Sequence, residues 1–333
     1  MNNRPIDKIR NSGAKITLPP DTGGIADMSE INGALHMIGG TAIYRVQLAD
    51  EIDPQRTNIA IPNTHQKVLS YGVEFPYVRQ TLMVARRLFS NNLLGSAFDY
   101  KTGTNLSFEA LKDLAAMHDI RMDLCARFNK CEEDLKNPAM EPRSMTVPSM
   151  GDVRGNTKAF LQKADHVAIA LFNTAKLFYG DEISKGMFEG LYDLTCKKFG
   201  ADDPCSQFLK AVLPFLQFVR NARNAVEHPD QTKSVKVTDI ALLPNGELNP
   251  PTIEVIHPQT LQPPVPLLTL LEHIADQLAT AFEVMLAHLC SANVQPFAGM
   301  PLGVIEYNEN QQKAYKCRYG YASRMGDQII PFG

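Results

Sequence analysis

Apolar residues recur every three or four positions over long stretches of the second half of this chain, the spacing of helices buried on one face. The cleanest stripe joins Leu267, Leu270, Leu271, Ile274, Leu278, Phe282, Met285 and Leu289 and predicts a helix from Leu267 to about Cys290. Phe160, Ala164, Val167, Ile169, Leu171 and Leu177 predict another from about Thr157 to Tyr179, closed by Gly180. A third runs from about Ser184 to Phe199 and ends at Gly200. Between them lies a helix with plain start signals, Asp203 as N-cap and Pro204 at the first helical position. It continues to His228, where Pro229 stops it, because the residue before a proline is pushed out of the α region. Pro214 lies inside it and should kink or split it.

The first half has weaker patterning. Residues 1–26, punctuated by Pro19-Pro20 and Gly23-Gly24, read as an arm or loop. Met28, Ile31, Leu35 and Ile38 keep a helical spacing up to Gly39-Gly40 and predict a short helix. Residues 53–66 read as a crossing loop, Tyr77 to Phe89 as a helix ending in Arg86-Arg87, and Leu106 to about Leu135 as a long helix. The aperiodic stretch 137–151, with Pro138, Pro142 and Pro148, reads as a linker. It would separate an N-terminal helical region, 1–136, from a helical domain, 152–292.

Two β-rich runs, Val235–Leu243 and Thr252–His257, flank Pro244-Asn245-Gly246 and predict a β-hairpin inserted at about 234–257. Residues 293–333 read as a small C-terminal β extension. In it, Tyr315-Lys316-Cys317-Arg318-Tyr319-Gly320-Tyr321 interleaves aromatics with cations. Such a strip is either a half-buried strand with basic residues outward or a surface that stacks bases and neutralises phosphates, with Lys316, Arg318 and Tyr319 as contacts. The expected fold is therefore mainly α.

The 333 residues suffice for one large domain or two ordinary ones. With Lys+Arg at 33 against Asp+Glu at 36, no overall basic excess advertises nucleic acid, so any such contact must be local. Six scattered cysteines without a C-x-x-C favour reduced thiols over disulfides or zinc. The opening Met1-Asn2-Asn3-Arg4-Pro5 is no apolar leader, and a cytoplasmic protein is expected.

Chemistry concentrates in Arg220-Asn221-Ala222-Arg223-Asn224-Ala225-Val226-Glu227-His228-Pro229-Asp230. These residues supply fixed cations, two amide dipoles and one titratable imidazole at a helix C-terminus, with no carboxylate cluster fit for a metal. That inventory suits a phosphodiester. At 100° per residue Val212, Leu216, Val219 and Val226 share a stripe with Arg223 at its centre, while Arg220, Asn224 and His228 form a separate ridge. A purely structural alternative pairs Arg223 with Glu227 at i,i+4 and leaves His228 as a cap.

The order Arg223-Asn224-x-x-x-His228 resembles the signature of the HEPN superfamily, over about residues 152–292. The resemblance implies an antiparallel helical bundle and a ribonuclease that needs no metal or cofactor. It would cut RNA by attack of the 2′-OH, leaving a 2′,3′-cyclic phosphate and a 5′-OH. His228 would act as general acid or base, Arg223 would stabilise phosphoryl charge, and Asn224 would orient one of them. Arg220 and Asn221 would assist in holding RNA. Such domains commonly form homodimers with a composite site. Many act as toxins or abortive-infection effectors in antiviral defence, some under an antitoxin. The alternative function is a non-catalytic helical module that binds a nucleotide or a protein.

Overall fold

The computed structural model describes residues 4–12, 22–135, 140–141, 144–183, 185–245, 247–325 and 328–332. The chain divides into two compact units, Met1–Phe108 with Gln295–Gly333, and Glu109–Val294. Among the described residues 54% are helix and 21% strand, a mixed α/β fold, which corrects the expectation of a mainly α, HEPN-like bundle.

The correction begins in the first unit. Helix α1 (Pro5–Asn11) replaces part of the expected arm; Pro19-Pro20 lie outside the described residues. The expected helix at Met28–Ile38 is instead a hairpin of β1 (Ile25–Ile31) and β2 (Ala34–Gly39). Its two-residue turn is Asn32-Gly33, both left-handed with φ of 50° and 71°, the turn whose twist matches paired strands. The helical spacing of Ile31, Leu35 and Ile38 was accidental, because those residues sit on two strands. Next come β3 (Ile43–Gln47), α2 (Ala49–Ile52) and β4 (Thr64–Leu69), and the four strands form one antiparallel sheet in chain order. Its buried face carries Met37, Tyr44 and Val46.

The predicted helix at Tyr77–Phe89 is present as α3 (Pro76–Val78), a π-helical turn (Arg79–Met83) and α4 (Val84–Leu88). After α5 (Asn91–Leu94), α6 (Tyr100–Asp134) starts in the first unit and ends in the second.

The second unit contains the helices that periodicity predicted. Part of the expected linker forms a minimal hairpin of β5 (Met140–Glu141) and β6 (Ser144–Met145); residues 137–139 and 142–143 lie outside the described residues. Helix α7 (Val153–Tyr179) is N-capped by Asp152, whose side chain accepts from the Gly155 N–H, and ends at left-handed Gly180 (φ 53°). Helix α8 is Phe188–Phe199; the start expected at Ser184 lies outside the described residues. Helix α9 (Pro204–Glu227) starts as predicted, with the Asp203 side chain accepting from the Cys205 N–H. Pro214 stands on its exposed side and does not divide it. Helix α9 packs on α7, α8 and α10 (Leu267–Asn293), burying Leu209, Leu216, Val219, Ala222 and Ala225.

Between α9 and α10 lies more than a hairpin. After β7 (Ser234–Thr238), the short pair β8 (Ala241–Leu242) and β9 (Leu248–Asn249) leads to β10 (Thr252–His257) and β11 (Thr260–Pro266). The sheet order is β11-β10-β7, with Val235 opposite Val255, and it packs beside α9 and α7. Strand β11 escaped the sequence reading because Pro263, Pro264 and Pro266 argue against a strand, yet an edge strand tolerates them.

The C-terminal segment returns to the first unit as β12 (Leu302–Glu306), α11 (Glu309–Tyr315), β13 (Tyr319–Met325) and β14 (Gln328–Pro331), a second antiparallel sheet. The Tyr321 hydroxyl donates to the Leu88 carbonyl at 2.7 Å. Tyr307 lies against Gly320, where a Cβ would come within 1.8 Å of its hydroxyl oxygen, and receives Arg87 Nη2 at 2.7 Å. The aromatic–basic strip is thus no single strand: Tyr315 ends α11, Lys316 is a left-handed cap, and only from Tyr319 is the chain extended. Among the described residues no helix is long and apolar enough to cross a membrane.

Candidate functional site at the end of helix α9

The last two turns of α9 carry the residues singled out from the sequence. The asparagine in the first of them is not free. Asn221 is buried, 7% exposed, and its Nδ2 donates to Thr260 Oγ1 on β11 at 2.8 Å. It fastens the sheet to the helix, which corrects its expected place among RNA contacts. Arg220 is exposed, with Nη1 2.7 Å from the Met187 sulfur just before α8.

Arg223 is half-buried and reaches α7, where its Nε lies 3.6 Å from Asp165 Oδ2. This ion pair explains why an arginine sits at the centre of an apolar stripe: the stripe faces a helix that buries a carboxylate there. Ala222 and Ala225 are fully buried on the same turns of α9. Burial pushes the Asp165 carboxyl above its ordinary 3.8, and the attraction of Arg223, Arg220 and His166 offsets this only in part. Arg223 Nη1 also donates to Asn224 Oδ1 at 3.3 Å, so guanidinium and amide are oriented together.

The expected i,i+4 partner of Arg223, Glu227, is engaged elsewhere. Gln162 Nε2 donates to Glu227 Oε1, and Lys158 Nζ lies 3.6 Å from the same oxygen. Burial pushes the Glu227 carboxyl up, but the Gln162 hydrogen bond and the charges of Lys158 and Arg223 outweigh it and leave it below the ordinary range.

His228 is the C-cap of α9. Its N–H donates to the Asn224 carbonyl at 2.9 Å, but its backbone (φ −128°, ψ 60°) has left the helix. The residue is exposed, and among the described residues its side chain makes no hydrogen bond or ion pair. The arrangement offers an exposed imidazole one turn after a pre-held guanidinium–amide pair.

Asp165, Gln162 and Lys158 were missed by the sequence reading. Asp165 had a signal, an acid among Ala164, Val167 and Ala168 on the buried face of α7. Lys316, Arg318 and Tyr319 belong to the first unit. There Arg318 Nε is paired with Glu306 Oε1 at 2.8 Å and its guanidinium lies 5.3 Å from the Tyr319 ring centre, while Lys316 is exposed. All six cysteines are free thiols.

Compared with known proteins, the chain matches no family model, no curated sequence and no solved structure.

Proposed function

We propose that the end of α9 is the active site of a metal-independent RNA endonuclease. The observation that carries the reading is the pairing of Arg223 with Asn224 one turn before an exposed His228 whose imidazole has no protein partner among the described residues. A histidine at a helix end can spend its ring on the last carbonyls, and among the described residues His228 does not.

In this reading the 2′-oxygen of a ribose attacks the adjacent phosphorus as His228 removes its proton, and the bond to the departing 5′-oxygen breaks. The products are a 2′,3′-cyclic phosphate and a 5′-OH. Arg223 holds the phosphoryl oxygens through its fork, and Asn224 keeps that fork in place. The leaving oxygen needs a proton of its own. A homodimer that brings a second copy's His228 into the same cleft would supply it, and Arg220, exposed one turn earlier, would add positive potential. The cellular role we attach to this chemistry is that of a cytoplasmic toxin or antiviral-defence effector, restrained by an antitoxin or regulator.

A second reading rests on the Asp165 contact. A guanidinium already facing a carboxylate can serve as an anion pocket that binds a nucleotide or protein without turnover. The test is RNA cleavage by the full chain in EDTA, with His228→Ala and Arg223→Ala checked for unchanged circular dichroism. The proposal expects cleavage that both variants lose. Cleavage that EDTA abolishes, or that survives in the folded variants, overturns it; salt-dependent binding without cleavage favours the second reading.

A further inference from the structure

A groove of about 660 Å³ opens in the first unit, lined by the start of β1, the segment from Val73 to Arg79, and α11. Small-ligand sites span roughly 300–1,000 Å³. Three residues on its wall are not the ones that folding alone selects.

Gly24 lines the groove, yet its φ is not left-handed and a Cβ built on it would meet nothing within 4 Å. Neither backbone nor packing requires glycine there. Lys316 shows the reverse: it closes α11 at φ 56°, ψ 27°, the left-handed position that glycine fills at helix ends and where a Cβ is strained. Arg79 opens the π-helical turn Arg79–Met83, a rare conformation that costs regular hydrogen bonding and recurs at functional sites. The groove thus has a missing side chain where one would fit, and a long cation where a glycine would fit better.

Charge identifies the occupant. Arg79, Lys313 and Lys316 all line the groove and are exposed, and among the described residues none makes an ion pair or side-chain hydrogen bond. Glu74 and Glu309 line it too. Three cations against two carboxylates make a local anion site, and a polyanion running along it would meet both carboxylates.

We propose that this groove binds a small phosphorylated ligand carrying hydroxyl groups, of the nucleoside monophosphate type. The phosphate sits among Arg79, Lys313 and Lys316, and Glu74 and Glu309 accept hydrogen bonds from the hydroxyls. Gly24 leaves the entrance open. This assignment stands apart from the ribonuclease reading and survives if that reading fails.

The test is calorimetric titration of the full chain with AMP, adenosine and inorganic phosphate at fixed ionic strength. AMP is expected to bind saturably and adenosine at least about tenfold more weakly, the value of one or two charged hydrogen bonds. Lys316→Gly should raise the Tm, by relieving the left-handed strain, and yet weaken AMP about tenfold. Gly24→Val should abolish AMP binding with the Tm unchanged. No saturable AMP binding at millimolar concentration, equal binding by Lys316→Gly, or a lower Tm in Gly24→Val would overturn the proposal. So would an oligoribonucleotide that loses binding in Lys316→Gly while AMP fails to bind, which would make the groove a nucleic-acid surface.

Discussion

The end of α9 and the groove beside α11 both present cations, but they hold them differently. Arg223 is half-buried, 3.6 Å from a buried carboxylate and hydrogen-bonded to Asn224. Arg79, Lys313 and Lys316 are exposed and unpaired among the described residues. A guanidinium fixed in advance loses little freedom when it meets a phosphoryl group, and fixed charge is what transition-state stabilisation needs. Exposed lysines pay their ordering cost when a ligand arrives, so they suit reversible binding. The first region also carries an exposed histidine one turn on, and none lines the groove. Under the two proposals, the first region suits chemistry and the second capture.

The largest effect expected from breaking this contrast is on turnover. His228→Ala should cut RNA cleavage by roughly 10²–10⁴-fold, the usual worth of a general acid or base, and leave the Tm unchanged because the residue is exposed. Arg223→Lys should lower cleavage by about tenfold or more although the charge remains, since an ammonium lacks the fork that Asp165 and Asn224 hold; kcat of the two proteins decides it.

Stability changes come next. In Gly320→Ala the new methyl would collide with Tyr307, which holds Arg87 and, through its carbonyl, receives Gln312 Nε2 of α11 at 2.6 Å. Urea unfolding should show a loss of about 1–3 kcal/mol, with AMP binding weakened because α11 is released.

The smallest effect concerns Asp165. Its folded-state pKa is raised above 3.8 by burial, so its contribution to stability is complete below pH 3.8 and is lost as the pH rises through the folded value. Asparagine mimics the protonated form. Asp165→Asn should therefore match the parent in Tm below about pH 3.8 and slightly exceed it at neutrality. A lower Tm at neutrality would mean that the Arg223 attraction outweighs burial.

What the sequence disclosed followed from whether a signal was local. Helices α7 to α10 were legible because apolar stripes many turns long average out accidents, and the start of α9 because Asp203 and Pro204 act on their own helix. The first sheet was not: its four apolar residues keep a helical spacing but sit on two strands, whose register is set by the two-residue turn Asn32-Gly33. The expected mainly α, HEPN-like bundle is corrected by the four-stranded sheet of the first unit and by β11 beside α9. At the site, Arg223, Asn224 and His228 were legible as chemistry but not as geometry. The partner of Arg223 lies on another helix, and the one neighbour that sequence offered, Glu227, is taken by Gln162 and Lys158.

One measurement bears most directly on the catalytic reading. An oligoribonucleotide and its counterpart with a single 2′-deoxy residue at the cut site are incubated with the full chain in EDTA, and the product ends are identified. The account predicts a 2′,3′-cyclic phosphate and a 5′-OH from the first, and no cut at that position in the second. Equal cleavage of both, or 3′-OH and 5′-phosphate ends, would contradict it.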